Sequence, residues 1–299
     1  MSLEIKNIGP LPDFAAEITG VDLRQDLDDE TFGAIERAVF ENGVVVLPNQ
    51  DIDDDQQIAF SERFGALEYS LRFHRHGDPI RPEISQLSNV GDDGLILKAD
   101  SETMTYHRGN QLWHTDSSFK AVPAKCSILS GREVPPVAGG TEFADVRAAY
   151  DGWPGSETLG ISKADLEGLV CEHSIIYSRS TIVGDIFTDE QKNAVPAVRQ
   201  VLVREHSATG RKVLYVGSHC SYVIGWPTEK GRALIKELND WVVQDKYVFR
   251  HTWRQHDLVI WDNRIVLHRG QTWAEEEHRR VMHRTTVAGD GPTTAQVAA

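Results

Sequence analysis

A chain of 299 residues with 40% hydrophobic and 25% charged residues has an ordinary globular composition and enough length to bury a large core. Its net charge of −14 argues against nucleic acid and anionic membrane surfaces as partners, although a few focused arginines can still bind a small anion. No apolar run reaches bilayer length, and Met1–Lys6 lacks the basic-then-apolar pattern of a signal peptide, so a cytoplasmic protein is expected.

Residues 29–42 (DETFGAIERAVFEN) carry Phe32, Ile35, Ala38 and Val39 at helical spacing, with Gly43 as a stop. Val44-Val45-Val46-Leu47 is a short apolar run ended by Pro48, which reads as a buried strand. Asp53 to Phe64 reads as a second helix, acidic at its start and closed by Gly65. Weak periodicity makes residues 70–112 and 173–195 long loops, the kind of segment that often forms lids or binding surfaces. Strands are expected at 125–130, 198–204, 212–216, 246–253, 257–261 and 280–287, and a third helix at 229–244. The tail after Gly289 is expected to be mobile. Many short strands between Gly, Pro and Asp turns suggest an all-β sandwich or barrel, and the lack of repeats or low-complexity linkers favours a single domain over residues 1–299. Cys126, Cys171 and Cys220 are odd in number, scattered and without a CxxC pair, which argues against disulfides or a zinc ribbon and for buried thiols.

The chemistry concentrates at Trp113-His114-Thr115-Asp116. In an extended chain, side chains two apart share a face, so His114 and Asp116 can hold one metal. An HxD pair alone is a weak signal, and a third ligand must come from elsewhere; His268, in Leu267-His268-Arg269-Gly270, is the best candidate. Two histidines and a carboxylate on one face leave the opposite face open, as expected of oxygen-activating non-haem iron(II). Arg280 and Arg284, four apart on the last expected strand, project from one face, and guanidinium matches carboxylate bidentately.

These features resemble the taurine and 2,4-dichlorophenoxyacetate dioxygenase family along nearly the whole chain. The likeness runs through Gln56-Gln57 with Phe64-Gly65, Asn110 to Phe119, Val134-Pro135-Pro136, Gly139 to Phe143 and Arg147 to Tyr150. It continues through Gly210-Arg211-Lys212, Gly231-Arg232, Trp261 to Arg264 and Arg279-Arg280, and NQLWHTDSSF with VLHRG is closer to the phenoxyacetate branch. The resemblance implies a double-stranded β-helix, or jelly roll, mainly β with flanking helices. It implies a reaction that needs Fe(II), 2-oxoglutarate and O2, helped by ascorbate, and a chain that assembles as a homo-oligomer. Position by position, His114, Asp116 and His268 become the iron ligands, Thr141 and Arg280 bind the distal carboxylate of 2-oxoglutarate, and Arg284 and Asn110 contact substrate. The stretch around Ala274–Glu277 is one residue longer than the family pattern, which bears on whether Arg279 or Arg280 points inward.

An anionic substrate follows from Arg284. Ser70 and Phe73 stand where taurine enzymes carry a histidine and a tyrosine, which favours a larger, less polar molecule such as an aryloxyalkanoate over a small sulfonate. His219 and Tyr222 resemble a substrate-side loop, with a plain turn and a solvated histidine as the other reading. Trp113 and Trp261 are either site walls or core aromatics, and His107, His173, His206 and His283 are structural or exposed. The rival readings are an alkylsulfonate or other carboxylate dioxygenase, a metal-binding jelly roll without turnover, and a hydrolytic zinc enzyme.

Overall fold

The computed structural model describes residues 3–69, 81–184 and 187–296. In chain order the first elements are β1 (Glu4–Leu11), β2 (Phe14–Thr19), α1 (Asp29–Asn42), β3 (Val44–Leu47), α2 (Asp54–Glu62), β4 (Ser85–Ser88) and α3 (Glu102–His107). The middle of the chain supplies β5 (Ala124–Glu133), β6 (Thr141–Asp145), α4 (Val146–Gly152), β7 (Val170–His173), α5 (Ile175–Val183) and α6 (Asp189–Ala194). Then follow β8 (Val198–Val201), β9 (Val203–Glu205), β10 (Lys212–Leu214), β11 (Cys220–Val223) and α7 (Thr228–Val242). The last strands are β12 (Val248–His251), β13 (Leu258–Asp262), β14 (Val266–Gly270) and β15 (Val281–Ala288).

The main sheet runs β1-β2-β3-β13-β5-β15-β4, and a three-stranded sheet β12-β6-β14 contributes to the same core. Alternation along the strands builds two cores. Val44 and Val46 of β3, with Val259 and Trp261 of β13, pack with Phe143, Val248 and Leu267 of the smaller sheet. Their neighbours Val45, Leu47, Leu258 and Ile260 point the other way and are covered by Phe32, Ile35, Val39, Phe60 and Phe64. A strand buried on both faces reads as a continuous apolar run, which is why VVVL is a strand without polar alternation. The helices therefore form an outer layer on a two-sheet sandwich.

Local chemistry sets the helix limits. Asp28 accepts the backbone N–H of Thr31 at 2.7 Å, and Gly43 at φ 72° ends α1 in a conformation that costs glycine little. Asp53 and Gln56 form a capping box for α2, so Asp53 is a cap and not a helical residue. The helix stops at Glu62 because i→i+3 bonds (Phe64 to Ser61, Gly65 to Glu62) tighten the chain.

The 198–204 strand and the two loop segments differ from expectation. The strand foreseen over 198–204 is two strands: at Leu202 the chain leaves β7 and joins β10, with its N–H bonded to Leu169 and its carbonyl to Tyr215. The segments read as loops carry β4, α3, α5 and α6, each nine residues or fewer and too short to show periodicity. Ser101, Ser174 and Thr188 cap the three helices, a signal that could have found them. Within the segment expected to be mobile, Thr293 is buried and its hydroxyl donates to Gln200 Oε1 at 2.6 Å. The β1–β2 hairpin had no recognisable pattern. Ser70 and Phe73 lie outside the described residues. Among the described residues no helix is long and apolar enough to cross a membrane.

Candidate active site

The two candidate histidines are brought together by backbone pairing. His114 and His268, 154 positions apart in sequence, sit directly opposite each other in an isolated antiparallel bridge, with N–H···O distances of 3.0 and 2.7 Å. Residues facing each other across an antiparallel pair share a sheet face, so both imidazoles emerge on the same side. Their ring centroids lie 4.2 Å apart. Asp116 adds its carboxylate, with Oδ1 at 3.9 Å from His114 Nε2 and Oδ2 at 3.7 Å from His268 Nε2. Donor atoms of all three residues fall within 4.8 Å of one another, and all three side chains are buried.

This donor set fits a divalent transition metal. The Leu112 carbonyl lies 2.7 Å from His114 Nδ1, which fixes the proton there and leaves Nε2 with its lone pair toward Asp116. Burial pulls His114 down to about 4 and His268 well below its ordinary value, so both rings are neutral at physiological pH, as a ligand must be. Burial alone would raise the Asp116 carboxyl; the Arg284 guanidinium, the two imidazoles and the Ser127 hydroxyl together hold it below the usual carboxylate range. Two neutral nitrogens and one carboxylate on one face match the facial triad of non-haem Fe(II).

A buried network orients Asp116. Asn263 Oδ1 accepts from the Asp116 N–H at 3.1 Å and from Trp261 Nε1 at 2.9 Å. Asn263 Nδ2 donates to Ser127 Oγ at 2.9 Å, and Ser127 Oγ donates in turn to Asp116 Oδ2 at 2.7 Å. Thr115 Oγ1 closes the network on the Asn263 carbonyl at 2.6 Å. Asn263, just after β13, thus supports the Asp116 carboxylate with Trp261 bonded behind it, while Asp262 between them pairs with Arg264 and His206. Sequence reasoning gave Ser127 no role, because nothing in its neighbourhood marks a serine on β5 as a partner of residue 116.

Thr141, Arg280, Arg284 and Asn110 line one cavity together with His114 and His268. Arg280 is buried and has no carboxylate within ion-pair distance among the described residues. Its Nε donates to the Gly139 carbonyl at 3.2 Å, its guanidinium lies 5.2 Å from the Trp273 ring centre, and burial pulls it down to about 10. Arg279 points outward and pairs with Glu133 at 2.6 Å, so the turn at Ala274–Glu277 leaves Arg280 as the inward residue. Thr141 Oγ1 accepts from Trp253 Nε1 at 2.9 Å, which leaves its own proton free to donate. Arg284 gives Nη1 to Asp116 Oδ1 at 2.7 Å, while its Nε is buried without a partner. Asn110 sits in a 3-10 turn, Arg108–Gln111, with its Oδ1 3.4 Å from Arg179.

The remaining candidates divide cleanly. Trp261 is a wall of the cavity, buried and tilted against His268 at 4.6 Å. Trp113 carries the Arg269 guanidinium over its ring at 4.8 Å. His219 is not a solvated histidine: it is buried, 2.8 Å from Ser178 Oγ, and its ring is 5.9 Å from that of His114. Tyr222 bonds Glu172 on β7 and does not line the cavity. His206 and His283 hold Asp262 and Asp54, while His107 does line the cavity. The three cysteines are buried free thiols.

Known proteins resemble this chain over nearly its whole length. Residues 5–286 match the family described as "Taurine catabolism dioxygenase TauD, TfdA family". The alpha-ketoglutarate-dependent 2,4-dichlorophenoxyacetate dioxygenase of Cupriavidus pinatubonensis (strain JMP 134 / LMG 1197) is 39% identical over 96% of this chain and 98% of its own. The (S)-phenoxypropionate/alpha-ketoglutarate-dioxygenase of Sphingobium herbicidovorans is 35% identical, over 95% of each chain. The crystal structure of AAD-2 in complex with Mn(II) and N-oxalylglycine superposes with a TM-score of 0.88 at 40% identity, covering 98% of this chain and 99% of that one. The fold they share is the jelly roll. On full-length similarity and on the buried site at its centre, this chain belongs to the taurine catabolism dioxygenase TauD, TfdA family.

Proposed function

We propose that the chain is an Fe(II)- and 2-oxoglutarate-dependent dioxygenase that hydroxylates an aryloxyalkanoate such as 2,4-dichlorophenoxyacetate. The observation that carries the reading is a three-ligand site sharing its cavity with a buried, uncompensated guanidinium, Arg280. When bound at His114, Asp116 and His268, Fe(II) supplies the dioxygen chemistry that couples conversion of 2-oxoglutarate to succinate and CO2 with hydroxylation of a substrate C–H bond.

The protein's own groups supply position and charge. His114 and His268 offer Nε2 lone pairs, and the Asn263–Ser127 network holds Asp116 toward them. Arg280 and the Thr141 hydroxyl take the distal carboxylate of 2-oxoglutarate, which turns a costly buried cation into one half of an ion pair. Arg284 takes the acid group of the substrate beside Asp116, with Asn110 on the facing turn. An acid anchored there directs the carbon between carboxylate and ether oxygen toward the metal site. Hydroxylation of that carbon in an aryloxyacetate gives a hemiacetal, which collapses to a phenol and glyoxylate. The single-domain, cytoplasmic and homo-oligomeric readings of the sequence stand beside this proposal as expectations of the same kind.

The test is succinate formation from 2-oxoglutarate with Fe(II), ascorbate and oxygen over phenoxyacetates, phenoxypropionates, taurine and other acids. Stimulation by a phenoxy acid with release of phenol supports the proposal. Stimulation by a sulfonate alone moves the substrate class and keeps the chemistry. No acid-stimulated decarboxylation and no 2-oxoglutarate binding would sink the proposal.

A further inference from the structure

Which of two adjacent arginines faces the cavity depends on a single residue of register. Side chains alternate along a strand, so a slip of one residue at the start of β15 would turn Arg279 inward and Arg280 outward. Pairing with β5 does not settle the matter, because the register of β15 against β5 shifts between Val281 and Met282. Yet Arg280 is buried in the cavity wall and Arg279 stands outside, bonded to Glu133 at 2.6 and 2.9 Å and to the Gly94 carbonyl at 2.7 Å. That outer ion pair is weak support. Its two side chains are 43% and 42% exposed, and exposed pairs contribute little.

The buried contact on the other side is Asn89, the residue just after β4. β4 pairs with β15 in the register Ser88 to Val281, which sets Asn89 opposite Arg280. The Asn89 N–H donates to the Arg280 carbonyl at 3.3 Å, but the Asn89 carbonyl turns away to accept the Leu97 N–H at 2.8 Å. The side chain takes over where the ladder ends: Asn89 Oδ1 accepts the Arg280 N–H at 2.7 Å. Its Nδ2 donates to the carbonyls of Glu275 at 2.7 Å and His278 at 2.8 Å, so one amide ties down both ends of the turn that leads into Arg280. Asn89 is 1% exposed, and its side chain uses its acceptor and both donors. The partners also fix the orientation of the amide, since a flipped one would set its oxygen against two carbonyls.

We propose that Asn89 is a positioning residue for 2-oxoglutarate, acting through Arg280 by holding the register in which this guanidinium enters the cavity beside Thr141. This rests on the reading that Arg280 takes the distal carboxylate of 2-oxoglutarate. Asn89 is not one of the residues that line the cavity, so its effect on the ligand passes through the backbone it holds. A guanidinium buried without a counter-ion is unfavourable, and a turn freed from its bonds would relax by swinging that group toward water. The Asn89 amide opposes this relaxation. The bond from Arg280 Nε to the Gly139 carbonyl at 3.2 Å and the Trp273 ring then orient the guanidinium once the backbone is in register. The ligand meets a donor already in place, and binding does not have to order it.

The experiment measures anaerobic calorimetric binding of 2-oxoglutarate to the Fe(II)-loaded protein in a double-mutant cycle of wild type, Asn89→Ala, Arg280→Met and the double variant. Asn89→Ala should raise the Kd of 2-oxoglutarate by about tenfold, through a misplaced charge-assisted contact, and leave metal affinity in a Co(II) titration unchanged. In the Arg280→Met background the same substitution should change the Kd by less than about twofold, because no guanidinium is left to position. Arg279→Ala should keep the Kd within about twofold of wild type, since the outer ion pair does not set the register. An equal loss in both backgrounds would overturn the proposal and make Asn89 a general structural amide. An unchanged Kd for Asn89→Ala, or a loss for Arg279→Ala as large as that for Asn89→Ala, would also overturn it. Asn89→Asp is nearly isosteric, keeps the acceptor for the Arg280 N–H and loses both donors, so it takes the place of Asn89→Ala in the cycle if that variant does not fold. Failure of the underlying reading looks different: wild type would then bind no 2-oxoglutarate, or Arg280→Met would bind it as tightly as wild type.

Discussion

Replacing Arg280 with methionine should make the ligand-free protein more stable and the 2-oxoglutarate complex much weaker. Burial pulls this guanidinium down to about 10 with no acidic partner to oppose it. At about 1.4 kcal/mol per pH unit, the displacement corresponds to roughly 3 kcal/mol of uncompensated burial. Against that stand the bond from Nε to the Gly139 carbonyl at 3.2 Å and the packing over Trp273, together worth about 2 kcal/mol. The net gain on removing the charge is about 1 kcal/mol, which for a domain of this size raises Tm by about 2 °C. The complex should respond in the opposite sense. A wild-type protein at a hundred times its Kd for 2-oxoglutarate gains about 2.7 kcal/mol from binding. Loss of one charge-assisted partner weakens binding by roughly tenfold to a hundredfold, so the variant at the same concentration gains about 1.4 kcal/mol or less. Differential scanning calorimetry with Fe(II) under nitrogen, with and without 2-oxoglutarate, reads both effects in one experiment. A variant that is less stable without ligand yet keeps the full ligand-induced shift would refute the reasoning and make Arg280 a structural cation.

Three further changes test other links. Ser127→Ala removes the donor to Asp116 Oδ2 and the acceptor of Asn263 Nδ2, so metal affinity should fall by roughly tenfold to a hundredfold in a Co(II) titration, and unchanged affinity would confine the network to packing. Arg284→Ala should raise the KM of the acid substrate by about tenfold or more, while a fall in kcat at constant KM would assign the residue to holding Asp116 instead. His173 is wholly buried, stacked on Tyr215, and held neutral down to about 3 by burial. Because its folded pKa is depressed, its contribution is complete above the unfolded value near 6.5 and is lost as pH falls toward 3. His173→Phe keeps the stacked ring and should flatten the acid loss of stability in that window by about 1.4 kcal/mol per pH unit, measured as urea-unfolding free energy against pH; an unaltered slope would mean the ring is already charged or exposed.

The sequence by itself determined the elements whose identity depends on near neighbours. Phe32, Ile35, Ala38 and Val39 repeat at helical spacing, so α1 is legible, and Gly43 marks its end because a left-handed residue must stand there. The pairing of His114 with Asp116 was equally local, since a period of two on extended backbone puts both side chains on one face. His268 and the Arg280–Arg284 face were candidates from the residues themselves, and the resemblance then added Thr141 and gave each of them a role. Only the tertiary structure decided what depends on contacts between distant segments. The His114–His268 bridge joins residues 154 apart, and the Ser127–Asn263–Asp116 chain joins β5, the turn after β13 and the His114–Asp116 segment. The switch of partner sheets at Leu202 and the Thr293–Gln200 contact likewise arise from the packed assembly. Arg179 is the clearest case: in the sequence it is one arginine in a weakly patterned stretch, and its burial without a counter-ion exists only once α5 lies against Gly109. Hydrophobic period and backbone preference are properties of a few consecutive residues, whereas desolvation and unpaired donors are properties of the assembled core.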